Sequence, residues 1–362
     1  MEPMDITGEA AWRGGFEASP LVVIWEVTRA CDLACVHCRA SAVPKRDPLE
    51  LSTDEGRRLI RELRGFGHPV FVLTGGDPLL RPDLETLVAA AAEARFPVGL
   101  SPAGTPLLSH ARLRRLRDVG LGSVSISLDG SCAQVHDAFR RVPGSFETSL
   151  QGAGAAIALG MRLQINTTVT RHNLADLPAI AALVAGLEAR RWTVFQLVPT
   201  GRATDDQQIT PAESEQVFEW LYELSLTASF RIKTTEGPHY RRVVLQHRAA
   251  TDRPGGSGGG RFVPGLNDGS GFLFISARGD IQPSGFLPLT AGNVRTISPL
   301  EVYRNHPIFT ALRDPDRLQG RCGRCEFLRI CGGSRARAYA ATGDPLAEDP
   351  LCGYQPTEGG RA

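Results

Sequence analysis

From about residue 20 the chain alternates short apolar runs with longer stretches of mixed polarity. Runs at 21–27, 70–74, 97–101, 123–128, 163–169 and 193–198 predict β-strands, and the segments between them carry helical spacing. Ser52-Thr53-Asp54-Glu55 has the form of a capping box and predicts a helix running toward Phe66. Thr210-Pro211-Ala212-Glu213 repeats the device, with proline at the first helical position. Six βα units in succession predict an α/β fold, a parallel sheet with helices outside it. In such folds functional groups collect at the C-terminal ends of the strands. The rhythm changes after Phe230: residues 251–271 are rich in glycine, proline and serine and read as a mobile loop, either linker or lid. Two strand-like runs around Arg278-Gly279-Asp280 predict a hairpin, and a helix is predicted over 299–313. The pattern divides the chain into an extension (1–20), a βα body (21–235), a linker or lid (236–271) and a C-terminal domain (272–362).

Composition narrows the class. The chain has 362 residues, 42% hydrophobic and 22% charged, with a formal net charge of +1. That balance gives no support to nucleic-acid or anionic-membrane binding. The only lysines are Lys45 and Lys233, an arginine preference read first as a genome-level bias. No apolar run reaches the length of a membrane span, and the acidic N-terminus lacks a signal-peptide core, so a cytoplasmic location is expected. Seven of the eight cysteines fall in two tight groups, which in a reducing compartment favours metal over disulfide.

The first group is Cys31, Cys35 and Cys38, spaced C-x3-C-x2-C just past the first strand. Three thiolates can hold three corners of a cubic iron–sulfur cluster, which normally takes four, and so leave one iron open to a ligand. Half a zinc site or packed thiols are the alternatives. After the second strand, Thr74-Gly75-Gly76-Asp77-Pro78 offers close backbone approach and an acidic side chain, both suited to an ammonium group; a plain βα turn is the alternative. Ser125-Ile126-Ser127-Leu128-Asp129-Gly130 ends the fourth strand, ahead of His136-Asp137-Ala138-Phe139-Arg140. Arginine at position 140 suits a carboxylate, whereas Asp129 and His136 also fit a role in holding the loop together. Asn166 lies on the fifth strand, and Pro199-Thr200-Gly201-Arg202-Ala203 follows the sixth. The second cysteine group, Cys322, Cys325, Cys331 and Cys352, can close a cluster or a zinc site completely. Cys132 is left over and is expected to be a packed thiol.

The cysteine triplet, the glycine turn and the S-L-D-G…H-D-x-x-R block resemble the radical S-adenosylmethionine (SAM) superfamily. The segment from Cys331 to Cys352 resembles that superfamily's SPASM/twitch extension. The resemblance implies a partial (β/α)6 TIM-like barrel with a C-terminal auxiliary-cluster domain. It implies a 4Fe–4S cluster on Cys31, Cys35 and Cys38 whose open iron chelates SAM, so that one electron yields methionine and a 5′-deoxyadenosyl radical. It places Gly75, Gly76 and Asp77 at the methionine ammonium, although Asp77 is one methylene shorter than the family's usual glutamate. Ser127 is directed to the SAM carboxylate or ribose, Arg140 serves as an anion clamp, Asn166 reaches the ribose, Gly201 lies near the adenine and His37 packs on it. Ser284 stands where full SPASM members carry cysteine, and Ser334 where related sequences have another, so one auxiliary 4Fe–4S cluster is expected, on Cys322, Cys325, Cys331 and Cys352. A reducing partner such as flavodoxin or ferredoxin is implied.

Residues 21–31 look most like members acting in heme and d-type heme biosynthesis, whose tetrapyrrole propionates are removed or oxidised; peptide maturases are similar in layout. The first reading is oxidative modification (decarboxylation, oxidation or crosslinking) of a ribosomal peptide or peptide-derived cofactor. The second is the same chemistry on a tetrapyrrole or another small metabolite. The third is a zinc-bearing protein without SAM cleavage. Twenty N-terminal residues are too few for a fused peptide-recognition domain, which weakens a fused-leader mechanism and leaves room for a separate recognition protein. Arg241, Arg242 and Arg261, with His239 and Tyr240, lie near the expected lid, either as substrate contacts or, more ordinarily, as solvated surface groups.

Overall fold

A computed structural model describes residues 15–251 and 265–357. All six expected strands form: β1 (Val22–Glu26), β2 (Val70–Thr74), β3 (Val98–Leu100), β4 (Ser123–Ser127), β5 (Arg162–Val169) and β6 (Arg191–Gln196). A seventh, β7 (Arg231–Thr235), continues the parallel series beside β6, with Thr193 opposite Lys233. On the other side of β1 lie β8 (Phe272–Ile275), parallel to it, and the antiparallel β9 (Asp280–Gln282) and β10 (Gly292–Asn293). The sheet order is β10-β9-β8-β1-β2-β3-β4-β5-β6-β7. The expected hairpin at 278–280 is thus β8–β9, and the expected C-terminal domain begins inside the same sheet as the βα body. The Lys233 ammonium of β7 sits 5.7 Å from the centre of the Phe272 ring of β8, so the parallel sheet curls until its two sides meet.

Alternation sorts the two faces of this curl. On β4, Val124 and Ile126 are fully buried against the surrounding helices, and Ser123, Ser125 and Ser127 take the inner face. On β5, Leu163 and Ile165 pack outward, leaving Gln164, Asn166 and Thr168 inside. A closed barrel is normally filled by bulky branched side chains. Here the inner face of β4 to β7 is polar except for Phe195 of β6, so much of the interior is lined by groups that can meet a polar ligand.

Both capping boxes form. The Glu55 N–H donates to Ser52 Oγ (3.2 Å) at the start of the helix Thr53–Leu63, and Thr210 does the same for Pro211–Ser225. Gly56 lies on the inner side of the first of these helices; a Cβ there would come within 2.5 Å of the Trp25 ring of β1, so glycine sets how closely helix and sheet pack.

Three expectations change. The helix over 299–313 is two, Pro299–Asn305 and Pro307–Arg313, because proline forces the preceding His306 into extended conformation (φ −66°, ψ 135°). The linker or lid over 236–271 contains the helix His239–Thr251. Residues 252–264 of that segment, including Arg261, lie outside the described residues, as do residues 1–14 of the expected extension. Cys132, expected to be packed, is exposed just before the helix Ala133–Arg140. Among the described residues no helix is long and apolar enough to cross a membrane.

Candidate active site

The loop after β1 carries Cys31, Cys35 and Cys38, and three outside segments hold its backbone. Glu50 accepts from the Thr28 hydroxyl (2.8 Å) and the Arg29 N–H (2.9 Å). The end of the helix Ala133–Arg140 accepts from Ala34 and Val36 through the carbonyls of Arg140 and Phe139. Arg202 donates from Nε to the Cys35 carbonyl (3.0 Å) and from Nη1 to that of Ala42 (3.1 Å). Each sulfur receives a donor: Leu33 N–H to Cys31 (3.3 Å), Ala42 N–H to Cys38 (3.4 Å), and Arg140 Nη1 to Cys35 (3.5 Å). Donors of this kind stabilise thiolates and tune a cluster's potential. Burial, with Asp77, Cys35 and Cys38 adding to it, pushes the Cys31 thiol up to about 12.

The glycine turn packs directly on this loop. A Cβ on Gly75 would lie 2.4 Å from the Thr28 carbonyl oxygen, and one on Gly76 2.4 Å from that of Ala30. Among the described residues the carbonyls of Gly75 and Gly76 accept no hydrogen bond, which leaves them able to receive an ammonium. Asp77 is differently occupied. It is buried, and its carboxylate accepts from Leu79 N–H (3.0 Å), Ala103 N–H (3.4 Å) and the Thr105 hydroxyl (2.7 Å). Its side chain ties the loops after β2 and β3 together.

Arg140 is likewise committed within the protein. It forms an ion pair with the buried Asp129, whose other oxygen accepts from Thr168 N–H (2.7 Å). Asp129 N–H donates to His136 Nδ1 (3.1 Å), so Asp129 and His136 do hold this loop. Ser127 and Asn166 stand opposite one another on the inner faces of β4 and β5, and Asn166 accepts from Gln164 (2.8 Å). Gly201 (φ +67°) meets the cysteine loop: a Cβ would lie 2.3 Å from the carbonyl oxygens of both Cys38 and Arg39. His37 packs its ring on Phe139, with centroids 4.3 Å apart.

Cys322, Cys325, Cys331 and Cys352 border one space, partly open to solvent and shared with His239, Arg242 and Tyr354. Among the described residues no three His, Cys, Asp or Glu side chains converge as a single metal ion requires. Cys322 receives Asp349 N–H (3.5 Å) and Arg335 Nη2 (3.6 Å), and Cys325 receives Phe327 N–H (3.4 Å). Burial pushes the Cys352 thiol up to about 11.

Behind this cavity, Arg337 and Asp349 form a fully buried ion pair (2.8 Å). Burial works against the Asp349 charge, but Arg337 and His239 outweigh it and hold the carboxyl well below its ordinary range. Arg337 also donates to the carbonyls of Leu197 and Glu236, beyond the ends of β6 and β7. Both serines at the expected cysteine positions are buried in local hydrogen bonds. Ser284 accepts from Phe286 and Leu287, and Ser334 accepts from Arg337 N–H while donating to Glu236.

The surface reading of positions 239–242 is corrected. Arg242 is buried, paired with Glu215 and stacked over Tyr354 (4.6 Å). Arg241 donates to the carbonyls of Ile330 (3.0 Å) and Leu266, and His239 and Tyr240 are buried. Two further groups carry no local sequence signal. Glu50 anchors the cysteine loop, and Arg39, paired with Glu26 of β1 (2.8 Å), joins it to the C-terminal segment through the Gly285 carbonyl (3.2 Å) and the Phe274 ring (4.8 Å).

Comparison with known proteins places the chain in a family. The radical SAM superfamily model matches residues 25–184. The chain is 43% identical over 340 residues to the AdoMet-dependent heme synthase of Nitratidesulfovibrio vulgaris, covering 92% of each. It is 34% identical over 341 residues to the mycofactocin maturase MftC of Mycobacterium ulcerans, covering 92% of this chain and 88% of that one. Its fold matches Streptococcus suis SuiB bound to S-adenosylmethionine with a TM-score of 0.72 at 17% identity, over 93% of this chain and 78% of the other. The chain belongs to the radical SAM superfamily, and its relatives are consistent with the SPASM/twitch subgroup.

Proposed function

We propose that this radical SAM enzyme acts on a propionate-bearing tetrapyrrole in heme formation. The observation that carries this reading is the 43% identity to a heme synthase over 92% of both chains. It moves ahead of the peptide reading, which the 34% identity to a mycofactocin maturase favours. When bound, the N-terminal cluster supplies the electron that splits SAM.

Around that cluster, Cys31, Cys35 and Cys38 are the ligands, and the donors from Leu33, Ala42 and Arg140 stabilise their sulfur charge. The carbonyls of Gly75 and Gly76 receive the methionine ammonium. Asp77 and the Asp129–Arg140 pair fix the loops instead of touching SAM. Ser127 and Asn166 face the ribose from the barrel interior. Gly201 and Arg202 hold the cysteine loop from behind. Cys322, Cys325, Cys331 and Cys352 hold one auxiliary 4Fe–4S cluster, and the local hydrogen bonds of Ser284 and Ser334 support a single one. Oxidative loss of a propionate carboxyl releases carbon dioxide, one hydrogen atom to the deoxyadenosyl group and one electron, for which an auxiliary cluster is a suitable acceptor. A reductant of the flavodoxin or ferredoxin type supplies the first electron.

The test is mass spectrometry of a propionate-bearing iron porphyrin incubated anaerobically with cluster-loaded, reduced enzyme and SAM. Loss of carbon dioxide together with one hydrogen atom and one electron, matched to 5′-deoxyadenosine, is expected. An unchanged porphyrin beside a modified precursor peptide would transfer the assignment to the peptide reading.

A further inference from the structure

The barrel interior holds a cation that the SAM site does not use. In register across four strands, the inner face presents Ser127, Asn166, Thr193 and Lys233. With neighbouring strands about 4.8 Å apart, this row runs about 14 Å from Ser127 to Lys233. Its first two members face the proposed ribose position, and Lys233 ends the row on β7, beside Phe272 at the start of β8.

The row's polar groups are not spent on one another. The Thr193 hydroxyl is buried without a partner among the described residues. The Lys233 ammonium, half-buried, makes no hydrogen bond or ion pair among the described residues; its neighbour is the Phe272 ring at 5.7 Å. A cation–π contact offsets only part of the cost of taking an ammonium out of water. Two guanidinium groups add positive potential there: Arg191, which begins β6, and Arg241, held by the carbonyls of Ile330 and Leu266. Burial first, then these two arginines, push the Lys233 ammonium down to about 8. The wall opposite is apolar and aromatic, with Phe272 and Phe274 on β8 in register with Val22 and Ile24 on β1. A flat apolar wall beside an uncompensated cation complements a planar ligand with an anionic edge. A lysine serving only as packing would carry its head into bulk water. Lys233 instead turns across the gap between β7 and β8.

We propose that Lys233 receives a carboxylate of the substrate inside the barrel and so sets how the substrate is turned toward SAM. This rests on the reading of the substrate as a propionate-bearing tetrapyrrole.

The test uses full-length, cluster-loaded enzyme and the Lys233→Met and Lys233→Arg variants, checked for wild-type iron content and thermal melting. Binding of a propionate-bearing iron porphyrin and of its methyl esters is measured by equilibrium dialysis. Lys233→Met should weaken binding of the free acid on the order of tenfold to a hundredfold, the factor a charged hydrogen bond supplies. Lys233→Arg should recover most of that loss. Esterification should cost wild type a similar factor and leave Lys233→Met nearly indifferent, since the two changes remove the same contact. Equal binding of the free acid by wild type and Lys233→Met, or an equal ester penalty in both, would overturn the assignment while leaving the tetrapyrrole reading in place. Failure of wild type to bind either porphyrin would overturn both.

Discussion

Gly75, Gly76 and Gly201 owe their identity to the loop they touch. Each would drive a Cβ to within 2.4 Å of a carbonyl oxygen of the cysteine loop, and Gly201 adds a positive φ. Gly201→Ala is therefore expected to cost about 2 kcal/mol or more in strain and to lower iron loading of the N-terminal site, read by iron and sulfide analysis. Wild-type loading in that variant would show that the approach of the two loops is unimportant. Asp77 allows a sharper separation of roles. Its three internal donors predict that Asp77→Ala destabilises the SAM-free protein by about 2 kcal/mol, the cost of leaving buried groups unsatisfied. A residue acting only on SAM would leave denaturant unfolding of the SAM-free protein unchanged. At this scale the sequence announces what is local. Cysteine spacing and glycine turns were legible, whereas Glu50 and Arg39 were not, because they act on partners 21 and 246 positions away. Arg242 was misread as surface because charged residues usually are exposed; its charge is met by Glu215 and Tyr354, which only the fold brings near.

Strands β1 to β6 could be read from their apolar runs, since outward-facing Val, Ile, Leu and Trp pack on helices. β7, Arg-Ile-Lys-Thr-Thr, could not. Only Ile232 of it is buried, because the strand borders the curl and turns polar groups inward. The break at His306 was legible in principle, since proline follows it. Arg337, fixed by Asp349 within the C-terminal segment, ties that segment to the residues after β6 and β7 through the carbonyls of Leu197 and Glu236. Breaking a buried ion pair by removing one partner typically costs 3–5 kcal/mol. Arg337→Ala should therefore destabilise the protein by about that amount in denaturant unfolding and deplete the auxiliary site before the N-terminal one. Loss of both sites in step would show that the segment is not a separate element of stability.

Over the whole molecule, the curled sheet puts an N-terminal thiol triplet at one set of strand ends, a four-thiol cavity in the segment that β8 introduces, and a polar interior between them. That division predicts separable losses. Cys325→Ala should retain part of the 5′-deoxyadenosine formation while stopping substrate conversion, measured by chromatography of both products; full conversion would remove any redox role from the second site. The most direct measurement concerns the first site. Reduced, anaerobically reconstituted enzyme should cleave SAM, and the protein with Cys31, Cys35 and Cys38 all changed to alanine should form no 5′-deoxyadenosine above the enzyme-free background. Undiminished 5′-deoxyadenosine from the triple variant would contradict the account at its root.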